Sequence, residues 1–138
     1  MPAHSQIYGF NPSGKKMSFE EAIELILYEA RGGEDGLLAS VRLGQEPGVE
    51  RMRQLILALG TVFELVEGQT ELERKLAAAL FVLGSDVPLT ISSWASKGLV
   101  WRKGFMEDEV YEMLMAVQSI FEDRWLETYQ ADQAETIH

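Results

Sequence analysis

Few side chains in this 138-residue chain are equipped for chemistry, and the most suggestive run comes first. Gly9-Phe10-Asn11-Pro12-Ser13-Gly14-Lys15-Lys16 has the outline of a phosphate-binding loop, G-x-x-x-x-G-K-[ST], with a helix following closely. That chemistry needs a buried strand before the loop, a Ser or Thr after the Lys to hold magnesium, and an acidic residue ending another strand. Here Lys16 occupies the Ser/Thr position, Pro12 interrupts the loop, and Ser18 comes two residues late. The run reads as a turn bearing two solvated lysines.

Other catalytic arrangements are equally hard to assemble. His4 and His138 lie near the chain ends, where no neighbours are expected to fix a tautomer or tune a pKa. There is no Cys to act as nucleophile or zinc ligand. Ser92 and Ser93 have only Lys97 nearby as a base, and helix capping accounts for these residues more simply than a Ser-Lys pair does. Carboxylate di-metal bundles use Glu-x-x-His pairs. This chain offers Glu21-x-x-Glu24 and Glu109-x-x-Glu112 without the His, so neither a metal nor another cofactor is expected.

Acidic surface is the strongest positive signal. On the first helix Glu20, Glu24, Tyr28 and Arg31 share a side away from the apolar stripe. On the last, Glu109, Glu112, Ala116, Ser119 and Asp123 recur at i, i+3/i+4 spacing. Like charges so placed cost a few tenths of a kcal/mol each in an isolated helix, so a basic partner drawn in by the field would offset them. A second signal is Trp94–Phe105, where Trp94, Leu99, Val100, Trp101 and Phe105 alternate with Lys97, Arg102 and Lys103. Aromatics mixed with bases can stack single-stranded nucleic acid, but three bases form a weak funnel, and such residues more often close the end of a bundle.

The elements that position these residues are all helical. Ser18-Phe19-Glu20-Glu21 is a capping box, and Phe19, Ala22, Ile23, Ile26, Leu27 and Ala30 follow at helical spacing as far as Gly32-Gly33. Leu37, Leu38 and Val41 mark a short second helix ending at Gly44. Pro47 suits the first turn of a third, running to Gly68, whose all-round apolar stretch Leu55–Leu59 makes it central. Thr70-Glu71-Leu72-Glu73 reads as another capping box, opening a helix to Gly84. Val87-Pro88-Leu89 reads as a break, followed by a short helix Thr90–Lys97 and an extended piece Leu99–Trp101. The final helix is expected over Met106–Thr128, facing inward with Val110, Met113, Leu114, Val117, Ile120, Phe121 and Trp125. The expected fold is an all-α, single-domain bundle of five to six helices over 18–128, with the third and fourth as its central hairpin. An irregular arm at 1–17 precedes it and a frayed tail at 129–138 follows.

Composition bounds the function classes. With 22 acidic against 12 basic residues the net charge is −10, and it is unevenly spread. Residues 18–50 hold eight acids and two bases, and 105–138 nine acids and one base, whereas 51–104 are slightly basic. Such a chain repels phosphate backbones and anionic lipid, so nucleic-acid and membrane-surface roles are disfavoured. The start lacks the basic-then-apolar pattern of a secretory signal, and beyond the first fourteen residues, which hold no Lys, Arg, Asp or Glu, no charge-free stretch exceeds ten residues, which points to a cytoplasmic protein. The expected function is a non-catalytic acidic module that binds a basic protein partner. In size, charge and lack of catalytic groups it resembles bacterial immunity proteins and antitoxins, an analogy of class carried by no motif. The expected contact residues are Glu20, Glu24, Tyr28, Trp101, Glu109, Glu112 and Asp123. The alternative is a small helical ligand- or metal-binding protein or enzyme using clustered carboxylates in a cleft, and a homodimer through an apolar helix face is compatible with either.

Overall fold

In the computed structural model, residues 17–31 and 33–126 are described. The loop-like run at 9–16, both histidines and the tail at 129–138 lie outside the described residues, as does most of the expected arm. Met17, at that arm's end, is buried in the core.

The described chain is all-helical. The helices are α1 (Phe19–Arg31), α2 (Leu37–Arg42), α3 (Val49–Val66), α4 (Arg74–Phe81), α5 (Val87–Ser96) and α6 (Tyr111–Glu122). Wide π-helical turns at Val82–Asp86 and Phe105–Val110 join α4 to α5 and lead into α6. The chain therefore forms five helical rods in one domain, as expected. Helix α1 begins as its sequence dictates: the Glu21 amide donates to Ser18 Oγ at 3.1 Å and the Ser18 amide to Glu21 Oε1 at 3.0 Å.

The expected break at Pro88 is not there. Proline lacks the amide that bonds the carbonyl of residue i−4, and its ring presses on that carbonyl, here Gly84. A π turn immediately before Pro88 widens the spiral and absorbs both problems, so α4, the turn and α5 form one rod from Arg74 to Ser96. The separate helix expected at Thr90–Lys97 is this rod's second half. The rod's start also differs from expectation. Leu72 turns inward against the core, so the cap falls on Glu73, whose carboxylate accepts the Lys75 amide at 2.6 Å, and not on Thr70.

Rod packing replaces the expected hairpin of third and fourth helices. Helix α3 packs on α1 and on α6, while the α4–α5 rod packs on α1, α2 and α6 and has at most marginal contact with α3. The four long rods thus form a ring in which α3 faces the α4–α5 rod across the diagonal. Phe63 stacks edge-on against Trp125 at 5.3 Å, and the Gly68 amide donates to Asp123 Oδ1 at 2.7 Å, so α3 and α6 end together. Trp101 Nε1 donates to Ile91 O at 3.2 Å, and Arg102 Nη2 to Pro47 O at 3.0 Å, so the rod ends where α3 begins. The rod accordingly runs antiparallel to both α3 and α6.

One buried charge fixes the turn out of α1. Glu29 is 3% exposed, and its carboxylate takes both Nε and Nη2 of Arg51 at 2.8 Å and the Leu37 amide at 2.8 Å. Arg51 Nη2 also donates to Asp35 O. A single carboxylate thereby ties α1, the following loop, the start of α2 and α3 together. Removing one partner of such a group leaves the others desolvated and unpaired. Glu29→Ala is expected to lower the unfolding free energy by about 2–3 kcal/mol, toward the lower end for buried pairs because Arg51 keeps some water contact. Urea denaturation checks this.

Candidate functional site

The seven expected contact residues are divided by the fold into structural members and surface members. Trp101 is buried, its ring 5.3 Å from that of Phe105 and its indole hydrogen committed to Ile91 O. It is not available as an exposed anchor. Glu109 forms a two-pronged bond with Arg102, at 2.6 Å on each side, in a cluster where the Arg102 amide also donates to Glu46 Oε2 at 2.7 Å. Hydrogen bonding to Glu109 raises the Arg102 guanidinium above its ordinary pKa, against the lowering effect of burial. Asp123 sits in the left-handed conformation (φ 57°) that ends α6, with its carboxylate holding the Gly68 amide. Glu109 and Asp123 are therefore clamps between segments distant in sequence.

The acidic stripe expected along α6 is not an outward face. Ala116 and Ser119, which share it, are fully buried, and the Ser119 hydroxyl donates to Met115 O while accepting the Leu126 amide. Helix α6 is rotated so that its small residues turn inward, which lets the packed elements approach closely. The cost falls on larger side chains. Phe121, expected in the core, is 50% exposed, and Leu114 is only half-buried. Trp125 does pack against the core, but α6 ends at Glu122 and does not extend through the last described residues.

Glu112 is half-buried beside Asp108 and Glu109. Burial raises its carboxyl pKa, and the two neighbouring acids raise it further. An acid raised in the folded state favours folding while protonated, and that contribution is lost as pH climbs through its folded pKa. No group of three or more metal-ligating side chains is gathered among the described residues.

Helix α1 keeps the surface assigned to it. Glu20, Glu24 and Arg31 are exposed, and Tyr28 is 42% exposed. Neither Glu20 nor Glu24 has a hydrogen bond or ion pair among the described residues. The Tyr28 hydroxyl lies within electrostatic reach of Arg51, whose pKa is raised first by hydrogen bonding to Glu29. Since α1 and α6 are not packing neighbours, the acidic faces expected on both helices do not form one patch.

A feature absent from the expected site lies between the rod and α6. A groove of about 360 Å³ is lined by Leu80, Phe81, Gly84, Leu114, Val117 and Phe121, among others, and its lining includes no carboxylate. Gly84 stands so close to α6 that a Cβ there would lie 3.2 Å from Val117 Cγ1. The Arg74–Ser96 rod, 23 residues with a mean hydropathy of 1.5 in its most apolar window, is long and apolar enough by length and composition alone to cross a bilayer. Only 33% of that window is buried. The ten-residue charge-free runs in the sequence join through the π turn, leaving Asp86 as the single charge between Lys75 and Lys97.

The Trp94–Phe105 segment is largely used internally. Trp94 packs against Gly44, Lys97 lies over the Trp94 ring at 5.4 Å, and the Arg102 guanidinium lies 5.2 Å above Phe105. Comparison with family models, with curated proteins and with solved structures finds no match.

The raised Glu112 sets a pH test. Glu112→Gln is expected to raise the melting temperature at neutral pH, and the gain should vanish as pH falls below about 4, where an ordinary carboxylate is itself protonated. Thermal melts of both proteins across that range check the sign.

Proposed function

We propose that this chain is a non-catalytic, acidic protein-binding module that docks a basic partner surface through the outward face of α1. The observation that carries this reading is the placement of Glu20, Glu24 and Tyr28: three exposed residues on one helix face, with both carboxylates free of partners among the described residues. Unpaired carboxylates in a chain of net charge −10 project a field that speeds encounter with a basic protein. A half-exposed tyrosine beside them supplies a rigid apolar contact that a partner can desolvate. Small acidic proteins that neutralise a basic toxic enzyme, as immunity proteins and antitoxins do, work by this physics, and a cytoplasmic setting fits that role. Trp101, Glu109 and Asp123 take no part in docking under this reading, because each holds the fold together.

The alternative, a ligand- or metal-binding site built on clustered carboxylates, draws its support from Glu112, whose carboxyl pKa burial raises. It has weaker support because the groove between the rod and α6 has no carboxylate in its lining.

Affinity capture from native lysate, with wild type and Glu20→Lys/Glu24→Lys side by side, tests the proposal. A basic protein retained by wild type should bind the double variant with an association rate at least about tenfold slower at low ionic strength, the difference shrinking with added salt. Equal retention and a salt-independent rate would rule out the α1 face.

A further inference from the structure

We infer that the notch between the last turn of α1 and α2 is a pocket for a phosphate group, held by the guanidiniums of Arg31 and Arg42. It uses none of Glu20, Glu24 and Tyr28, so neither proposal depends on the other.

The first observation is the cavity. A pocket of about 160 Å³ lies where α1 ends and α2 begins, with Glu29, Arg31, Gly33, Gly36, Ala39 and Arg42 in its lining. Pockets that take a whole small molecule run to about 300–1,000 Å³, so this one admits a single chemical group. Gly36 is what brings α2 onto α1: a Cβ there would lie 2.7 Å from Tyr28 O and 3.1 Å from Glu29 O. Those carbonyls belong to the end of α1, where the partial negative charge of a helix would repel an anion. Gly36 is buried against them.

The second observation is charge. Of the seven arginines among the described residues, Arg51, Arg53, Arg102 and Arg124 are in ion pairs. Arg31, Arg42 and Arg74 have no hydrogen bond or ion pair among the described residues, and two of those three line this one pocket. The carboxylate in the lining, Glu29, is already taken by Arg51 and the Leu37 amide. Glu34 and Asp35, in the loop between the helices, are exposed and do not line the pocket. With 22 acids to 12 bases in the chain, two arginines gathered without a carboxylate partner leave a local double positive charge.

Charge and shape then select the ligand. A carboxylate brings one negative charge, whereas a phosphate group carries about −1.5 to −2 at neutral pH and has three strong acceptor oxygens. Each guanidinium is a flat fork of N–H donors that can hold two oxygens at once. Two forks on different helices suit a tetrahedral group better than a planar one. Both side chains are exposed, so water and salt compete for them and the binding is salt-dependent.

Isothermal titration of the full chain with inorganic phosphate, and separately with phenyl phosphate, at neutral pH and fixed low ionic strength tests this. Wild type should bind saturably at one site. Tighter binding of the free ion identifies phosphate itself as the ligand, and tighter binding of the ester identifies the head of an organic phosphate. Arg31→Gln and Arg42→Gln should each weaken binding at least about tenfold. Arg42→Lys, which keeps the charge and loses the fork, should fall between wild type and Arg42→Gln. Arg74→Gln removes an exposed, unpaired arginine outside the pocket and should bind as wild type does. Circular dichroism checks that every variant keeps its helical fold. A wild type that binds neither phosphate overturns the proposal. So does acetate binding as tightly as phosphate, or an Arg74→Gln loss equal to that of the pocket variants.

Discussion

Helix α3 carries nine consecutive buried residues, Leu55 to Phe63, and no single neighbour can cover a helix that is apolar all round. This requirement organises the other rods. Helices α1 and α6 take opposite flanks of α3, and the α4–α5 rod closes the ring on the far side, touching both of them. The contacts that close it come from α4 and the π turn over Val82–Asp86, while the rod's continuation past Pro88, α5, packs on α2. The missing α3–α4 hairpin follows from this arrangement, since the rod meets α1 and α6 and has at most marginal contact with α3.

Charged groups in this molecule serve two distinct purposes. Glu29 with Arg51, and Glu109 with Arg102, are enclosed or half-enclosed pairs whose hydrogen bonds reach backbone groups far away in sequence. They fix where loops cross and helices begin. Glu20 and Glu24 have no such work within the described fold, and their charge is directed to solvent. A total of −10 does not distinguish the two uses; only the location of each partner does.

The rotation of α6 links packing to surface. Turning Ala116 and Ser119 inward gives close contact between helices, and it leaves Phe121 and Leu114 beside Phe81 on the outside. The sequence carried a faint signal of this, an apolar surplus spread over more of α6 than one stripe can hold. What it could not convey was which part of the surplus would be left over. That depends on the shape of the neighbours, and small residues win an inner position by allowing approach, not by their own hydrophobicity.

The sequence by itself determined the class of fold, the capping box that starts α1, the glycines that end α1 and α2, and the centrality of α3. Each depends on local periodicity or on hydrogen bonds between residues three or four apart, which are properties of adjacent residues. Tertiary structure alone decided that Trp101 is buried, that Glu109 and Asp123 are clamps, and that the acidic residues of α1 and α6 form no common patch. Their partners, Ile91, Arg102 and Gly68, lie 10, 7 and 55 residues away. Whether a carboxylate faces water or a guanidinium is fixed by which rods meet, and that is settled only when the whole apolar surface of α3 has been covered.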